Sequence, residues 1–277
     1  MATITGTGGN DTISGSSSVG VSGNTTSVAD LINAGDGNDV LDGGNGSDTI
    51  NGEGGNDTML PSSGNDTFDG GAGFDSIDYS SQANSFSLNI ATGTIQRTSG
   101  AAKTDNFLNV ESFRLGSGTD SVTGSTGAEE IDTGGGNDTI NAGDGNDTLI
   151  GGAGADQVNG EGGDDSIIAG AGADAIDGGT GTDTLTFASF AGAAAATLGA
   201  TSAAGSVTSG GETDTFSAIE NLVLTGLADT ITGGAGNHTV DGGAGDDTFT
   251  GSLGSDNYNG NSGTDTLDYS TLGYTLN

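Results

Sequence analysis

The sequence places an acidic residue at every ninth position over long stretches, and this spacing limits the possible folds more than any other feature. In the segment GGNGSDTINGEGGNDTM, Asp48 and Asp57 lie nine residues apart, and an apolar residue follows each of them two positions later. We number each repeat so that the acidic residue is position six and the apolar residue is position eight. A short, regular period of this kind is typical of repeat architectures and has to be interpreted before individual elements.

Three arrays follow this pattern, at residues 30–78, 120–186 and 229–268. The position-six aspartates that we predict to bind metal are Asp30, Asp39, Asp48, Asp57, Asp66, Asp75, Asp120, Asp138, Asp147, Asp156, Asp165, Asp174, Asp183, Asp229, Asp247, Asp256 and Asp265, with Asp11 ahead of the first array. Glu129 and His238 occupy the same position but are poorer ligands for a hard cation.

The remaining segments form a duplicated bridge. Residues 79–119 and 187–228 lie between the arrays and match each other, for example TDNF at 104–107 with TDTF at 213–216. Residues 1–29 are expected to form an irregular N-terminal coil. Residues 269–277 resemble the start of a third bridge that is cut short.

Each repeat divides into a turn and a short strand. Glycine at positions one, two and four permits positive φ and close backbone approach, and Asn at position five tolerates the left-handed region. The remaining x-U-x segment favours a strand whose central side chain points inward. Two repeats form one flattened coil, and stacked coils predict a parallel solenoid. For FASFAGAAAATLGA in the second bridge we favour an extended conformation over a helix.

The charge of the chain limits its partners. Thirty-eight acidic residues against three basic ones give a formal net charge of -35, which disfavours nucleic acid and anionic membranes as partners. No apolar segment is long enough to insert into a membrane, and the N-terminal stretch lacks the features of a cleaved secretory signal. The three basic residues, Arg97, Lys103 and Arg114, are interpreted as local salt-bridge partners. No catalytic motif is present, so we predict that the protein is not an enzyme.

A metal ion would solve two problems of the predicted solenoid. Each coil buries only two position-eight side chains. The free energy gained from this burial is small compared with the entropy cost of ordering the backbone of the coil. Aspartates one coil apart would also stack and repel each other. Ca²⁺ accepts six to eight oxygen ligands in flexible geometry, whereas Mg²⁺ needs a tighter octahedron and zinc prefers His or Cys. We therefore predict multiple Ca²⁺ ions, about a dozen if position-six residues pair between adjacent coils.

The repeats GGNGSDTIN, AGDGNDTLI and GGAGDDTFT resemble the nonapeptides of RTX (repeats-in-toxin) proteins, and the resemblance covers all three arrays. It implies an all-β fold, a parallel β-roll (β-solenoid) in three arrays joined by two β-rich bridging segments. It also implies that Ca²⁺ lies between successive turns, held by position-six aspartates and loop carbonyls. Export by a bacterial type I secretion system would explain the missing N-terminal signal and would make the protein extracellular or surface-located.

Two functional hypotheses remain open. The first is a secreted Ca²⁺-dependent structural protein that folds on binding calcium and forms a homo-oligomer through the solenoid ends, giving a surface layer, filament or extracellular matrix. The second is a secreted binding or adhesion module, or the secretion and folding module of a larger toxin or exoenzyme. In the second case the bridges, as the non-repetitive surfaces, would contact the partner.

Overall fold

The structure is a computed structural model and describes residues 3–6, 9, 12–14, 29–200, 203–251 and 253–270. The described residues form 29 β-strands and no α-helix, so none of them lies in a helix able to cross a membrane. The chain divides into two compact units. Unit 1 contains residues 1–125 and 129–135, and unit 2 contains residues 126–128 and 136–277.

Unit 1 is a parallel β-roll with two facing sheets. Its strands are β1 Thr3–Thr5, β2 Thr12–Ser14, β3 Leu31–Asp36, β4 Val40–Asp42, β5 Thr49–Gly54, β6 Thr58–Leu60, β7 Thr67–Asp69, β8 Ser76–Asp78, β9 Phe86–Asn89, β10 Thr94–Arg97, β11 Lys103–Leu108, β12 Ser112–Arg114, β13 Ser121–Ser125 and β14 Glu130–Asp132. The first sheet runs β1-β3-β5-β7-β11-β10-β9-β13. The second sheet runs β2-β4-β6-β8-β12-β14 and is parallel throughout.

Unit 2 has the same organisation. Its strands are β15 Thr139–Gly143, β16 Thr148–Ile150, β17 Gln157–Asn159, β18 Ser166–Ile168, β19 Ala175–Asp177, β20 Thr184–Thr186, β21 Ala194–Leu198, β22 Gly205–Ser209, β23 Glu212–Ser217, β24 Asn221–Val223, β25 Thr230–Thr232, β26 Thr239–Asp241, β27 Thr248–Thr250, β28 Asn257–Asn259 and β29 Thr266–Asp268. The first sheet runs β15-β17-β19-β23-β22-β21-β25-β27-β29. The second runs β16-β18-β20-β24-β26-β28.

Each bridge inserts an antiparallel meander into one sheet only. In unit 1, β11 continues the parallel stack from β7, and β10 and β9 then lie between β11 and β13. The second sheet has no such insertion and passes from β8 through β12 to β14. In unit 2, β23, β22 and β21 form the corresponding meander, and the segment for which a helix was the alternative contains strand β21. The extended interpretation of that segment is therefore confirmed.

The core of each roll is a stack of position-eight side chains. In the first sheet of unit 1, Ile32, Ile50, Phe68 and Phe107 lie in register on neighbouring strands. In the second sheet of unit 2, the equivalent stack is Leu149, Ile167, Leu185, Leu222 and Val240. All of these side chains are buried. The two-residue alternation of the strands thus points one apolar side chain per repeat inward.

The turns use glycine more selectively than we predicted. Positive φ occurs at positions two and four, for example φ 104° at Gly35 and φ 135° at Gly37, whereas the position-five Asn residues are not in the left-handed region. The Asn side chain accepts a hydrogen bond instead, as when the N–H of Asp164 donates to Oδ1 of Asn146 at 2.9 Å. The prediction of a left-handed backbone at position five was therefore wrong. The Asn side chain links adjacent coils instead.

Candidate metal centre

The side chains of many position-six aspartates reach the preceding coil of the roll. In unit 1 the backbone N–H of Asp39 donates a 2.8 Å hydrogen bond to Oδ1 of Asp57, and the N–H of Asp57 donates a 2.7 Å hydrogen bond to Oδ1 of Asp75. On the other edge, Asp30, Asp48 and Asp66 are linked in the same way. Two columns of aspartates therefore run along unit 1, each held by side-chain bonds to backbone N–H groups.

Unit 2 contains the same columns. The linked pairs, donor first, are Asp138 and Asp156, Asp156 and Asp174, Asp147 and Asp165, Asp165 and Asp183, Asp229 and Asp247, and Asp247 and Asp265. Where a bridge strand precedes the aspartate, the donor is another residue: Phe86 donates to Asp120 in unit 1, and Ala194 donates to Asp229 in unit 2. Asp11 lies outside the described residues.

The end of the third array is more open than the rest. Asp247 is buried, whereas Asp256 is half-buried and Asp265 is exposed. His238 replaces aspartate in this array and is itself buried, with Nδ1 3.3 Å from Oδ1 of Asp256. The imidazole thus contacts the carboxylate that the next coil presents.

The second carboxylate oxygen of the column aspartates is buried and has no hydrogen-bond partner at many positions. Among the described residues, this applies to Oδ2 of Asp48, Asp57, Asp75, Asp156, Asp165, Asp174, Asp183 and Asp247. Burying an ionised carboxylate oxygen without a donor is costly. The recurrence of this arrangement at these eight positions makes buried carboxylate oxygens available to a cation.

The protonation equilibria of the columns point to the same conclusion. Burial raises the pKa of the Asp174 carboxyl to about 7 and the pKa values of Asp66, Asp75 and Asp165 to about 6. The backbone hydrogen bond partly opposes this rise, and neighbouring acidic groups, such as Asp57 and Glu111 beside Asp75, add to it. A divalent cation would favour the ionised form and lower these pKa values.

Backbone carbonyls supply further oxygens in the turns. Asp57 Oδ2 and the carbonyl oxygen of Gly70 lie 2.1 and 2.5 Å from one point beside Gly52, the position that a Cβ on Gly52 would occupy. At position four, a Cβ on Gly163 would lie only 1.6 Å from the carbonyl oxygen of Gly145, so stacked turns approach too closely for a side chain. The donor set is therefore carboxylate and carbonyl oxygen, which is the chemistry that Ca²⁺ prefers.

The carboxylates alone do not form a cage. In the part of the chain that the structure describes, no group of three or more His, Cys, Asp or Glu side chains is placed to hold a metal ion. The absence of such a group follows from the column geometry. Each coil contributes one carboxylate per edge, and Oδ1 of that carboxylate already accepts a hydrogen bond from a backbone N–H. Any ion in these columns would need the turn carbonyls to complete its coordination.

Four column residues in the bridges were missed by the sequence analysis. The N–H of Asp66 donates to Oδ1 of Asp105, and the N–H of Asp75 donates to Oε2 of Glu111. The equivalent acceptors in unit 2 are Asp214, bonded to Asp174, and Glu220, bonded to Asp183. A signal was present, since each of the four precedes an apolar residue by two positions, as in the arrays.

Lys103 is a buried cation within one of these columns. Its Nζ lies 3.0 Å from Oδ2 of Asp105 and 3.5 Å from Oδ2 of Asp66, and it donates to the carbonyl oxygen of Ser62. Among the described residues it is the only one of the three basic side chains with ion pairs, and for Lys103 the predicted salt-bridge role is confirmed.

A parallel roll whose turns present columns of buried carboxylates and carbonyl oxygens defines a structural cation-binding repeat protein. The family model for the RTX calcium-binding nonapeptide repeat (4 copies) matches residues 3–18, 24–59, 62–78, 115–149, 123–158, 150–185, 225–258 and 232–267. These matches cover more than half of the chain, which therefore belongs to this family of calcium-binding repeats, as the resemblance predicted. A search of curated proteins finds no match.

Proposed function

We propose that this chain is a secreted, calcium-dependent structural protein that folds on binding Ca²⁺ and assembles head to tail. The observation that supports calcium-dependent folding is the set of buried Oδ2 atoms, named above, that have no hydrogen-bond partner among the described residues. With a net charge of -35, the metal-free chain is repelled by its own carboxylates. Binding of Ca²⁺ to the folded columns then contributes directly to the free energy of folding.

Folding that depends on Ca²⁺ is compatible with export of the unfolded chain. A chain that stays unfolded at low intracellular calcium remains competent for a type I secretion system and folds in the millimolar calcium outside the cell. In this proposal, about a dozen Ca²⁺ ions lie along the columns, with the position-six aspartates and the turn carbonyls as ligands. The ligand residues are the position-six aspartates named above, extended by the bridge acceptors Glu111, Asp214 and Glu220.

The assembly half of the proposal is supported by the outermost strands. Among the described strands, β1 pairs only with β3, and β29 pairs only with β27, so each has one edge that no other described strand covers. Leu267, at position eight of β29, is 51% exposed, whereas Phe249 and Ile231, at the same position of β27 and β25 in the same sheet, are buried. Unpaired strand edges with exposed apolar side chains are templates for pairing with another chain.

Sedimentation velocity and electron microscopy of the full chain, in millimolar calcium and in EGTA, test this proposal. We expect calcium-dependent growth into extended assemblies, and we expect Leu267→Glu to prevent growth while leaving calcium uptake unchanged. Leu108→Glu is the matched control, because Leu108 is 63% exposed on the first bridge. A wild-type chain that stays monomeric at high concentration in calcium would reject the assembly half.

A second function is a binding module, either free or within a larger toxin or exoenzyme. The observation that favours it is the exposed apolar surface of the bridge regions, where Leu108 and Leu227 are 63% and 43% exposed. In that case Leu108→Glu should weaken attachment to cells or carbohydrate surfaces, measured by a pull-down with labelled protein, and should leave the sedimentation profile unchanged. Attachment that survives Leu108→Glu and Leu227→Glu together would remove the bridges as the contact surface.

A further inference from the structure

The two bridges contain equivalent coils that neutralise their carboxylates differently. We call the first bridge rung the group formed by Asp66, Asp105, Lys103 and Tyr79. Asp66 and Asp105 are linked by a 2.7 Å backbone-to-carboxylate bond, and Lys103 Nζ forms ion pairs with both carboxylates. The Tyr79 hydroxyl donates to Oδ2 of Asp105, and Lys103 Nζ lies 5.7 Å from the centroid of the Tyr79 ring. All four side chains are buried.

The second bridge rung, formed by Asp174, Asp214, Glu212 and Phe187, occupies the same place in unit 2. Asp174 and Asp214 are linked by a 2.8 Å bond of the same type. Phe187 corresponds to Tyr79, because each follows a column aspartate by four residues and donates its N–H to the last residue of the neighbouring strand, β24 or β12. Glu212 corresponds to Lys103, since each is the first residue of its strand and precedes the bridge aspartate by two residues.

These two substitutions remove both protein donors from the second rung. Phe187 has no hydroxyl group, and Glu212 carries a negative charge where Lys103 carries a positive one. The carboxylate of Asp174 is 2% exposed, and its Oδ2 has no hydrogen-bond partner among the described residues. Glu212 itself is exposed, at the first position of β23, two residues before Asp214. The buried carboxylates of Asp174 and Asp214 therefore lie in a rung that offers no cationic side chain.

We propose that the Lys103 ammonium takes the place of a divalent cation in the first bridge rung, which is therefore metal-independent, whereas the second bridge rung binds a divalent cation. In the first rung, the Lys103 ammonium forms ion pairs with both carboxylates, and the Tyr79 hydroxyl donates a hydrogen bond to one of them. In the second, the buried carboxylates of Asp174 and Asp214 offer oxygen ligands to a hard cation such as Ca²⁺, and turn carbonyls would complete its coordination. This inference rests on calcium binding by the arrays but not on self-assembly.

The proposal predicts an order of folding. The first bridge rung holds its carboxylates without metal, so the first bridge stays folded in EGTA and presents β11 and β12 as templates for neighbouring coils. The second bridge has no equivalent internal cation and folds only when the metal binds. The chain would thus carry one calcium-independent segment from which the calcium-dependent rolls can grow.

Reciprocal variants of the full chain test this inference. Calcium bound per chain is counted by native mass spectrometry, and amide protection of Asp66 and Asp174 in EGTA is measured by hydrogen exchange. Lys103→Gln should bind one additional Ca²⁺ and lose protection at Asp66 in EGTA. The double variant Phe187→Tyr with Glu212→Lys should bind one Ca²⁺ fewer and gain protection at Asp174 in EGTA.

Arg114→Gln removes an exposed positive charge from β12 and should change neither the count nor the protection. An unchanged calcium count in the double variant would overturn the proposal, even if Lys103→Gln fails to fold. Equal protection of Asp66 and Asp174 in wild-type protein in EGTA would also overturn it. A chain that binds calcium but never assembles would reject the proposed function and leave this inference standing.

Discussion

In the arrays, a coil buries little more than its two position-eight side chains, whereas the first bridge buries a cluster of aromatic side chains. The ring centroids of Tyr79 and Phe86 are 4.7 Å apart, and those of Phe107 and Phe113 are 4.9 Å apart. Aromatic pairs of this kind stabilise a core beyond the area that they bury. Both regions present column carboxylates, but only the first bridge adds a buried lysine.

This difference shows where the roll depends on metal. An array coil has a thin core and carboxylates without an internal counter-charge, so we expect bound cations to supply its stability. The first bridge has a thicker core and its own cation, and it can persist without them.

Removal of calcium should separate the two regions most strongly. In EGTA we expect most of the β signal in far-ultraviolet circular dichroism to disappear, because the arrays unfold when their carboxylates are left uncompensated. Brief digestion with proteinase K, followed by mass mapping, should cut within the arrays first and leave fragments that span residues 79–119. Cleavage of the first bridge as fast as the arrays would contradict the contrast.

Gly163→Ala should disrupt the second array. The new Cβ would lie 1.6 Å from the carbonyl oxygen of Gly145, and the residue has φ of 132°, which is unfavourable for a side chain. In calcium we expect a loss of about 2 kcal/mol or more in the free energy of unfolding, measured by urea titration. Gly226→Ala is the control, since a Cβ there meets nothing within 4 Å. Equal stability of the two variants would show that the turn is not tightly stacked.

Asp165→Asn should have opposite effects with and without calcium. In calcium, the loss of a ligand charge should weaken binding at that rung at least about tenfold, measured by titration calorimetry. In EGTA, the variant should be more ordered than wild type, because it removes a buried charge, and the new amide can donate toward the carbonyl oxygen of Gly178. Asp144→Asn makes the same charge change at an exposed position. It should neither weaken calcium binding nor increase order in EGTA. Destabilisation of Asp165→Asn in both conditions would contradict a metal role for this carboxylate.

Acidification should order the metal-free chain. The pKa values of Asp174, about 7, and of Asp75 and Asp165, about 6, lie above the ordinary value of 3.8, so the folded state binds more protons than the unfolded state between about pH 4 and 7. The stability of the metal-free chain is therefore greatest below the unfolded pKa and falls as the pH rises through 6 to 7. Circular dichroism of metal-free protein should show more β structure at pH 5 than at pH 7.5.

The calcium-loaded chain should show the opposite trend, because protons compete with Ca²⁺ for the same carboxylates. Calcium affinity should therefore fall between pH 7.5 and pH 5, measured with a calcium electrode. Metal-free protein that gains no structure on acidification would show that these carboxylates are not destabilised by burial.

Glu53→Gly should give the smallest effect, a slight gain in stability. Glu53 occupies position two with φ of 72°, where most repeats have glycine. Relief of this strain is partly offset by the greater freedom of glycine in the unfolded chain, so we expect a gain below about 1 kcal/mol in calcium. Glu53→Ala removes the charge but keeps the strain and should give no gain. If Glu53→Ala stabilises the protein more than Glu53→Gly does, the effect comes from loss of the charge and not from relief of backbone strain.

The arrays could be predicted from sequence because each coil repeats one simple rule. The spacing of nine residues identified the aspartates that line up in columns, and the apolar residue two positions later identified the core stacks. The sequence could not reveal that Oδ1 of Asp57 would bind the N–H of Asp39 rather than leave both oxygens for metal. That choice depends on the backbone geometry of the turn, which a residue pattern does not encode.

The bridges were harder to predict because the spacing of nine is lost there. Asp105 joins the column of Asp66 at a separation of 39 residues, after a meander whose length no repeat specifies. Lys103 was predicted to form local salt bridges, but one of its two partners, Asp66, comes from the preceding array. Contacts between distant segments of the chain therefore set the properties of this rung.

Hydrogen exchange measured by mass spectrometry reports on the columns themselves, because the position-six amides donate to the column carboxylates. In millimolar calcium we predict protection of the amides of Asp39, Asp57, Asp147 and Asp165. In EGTA we predict rapid exchange at these four sites, while the amide of Asp66 in the first bridge rung stays protected. Equal protection of the four array amides in calcium and in EGTA would contradict the claim that bound cations hold the arrays together.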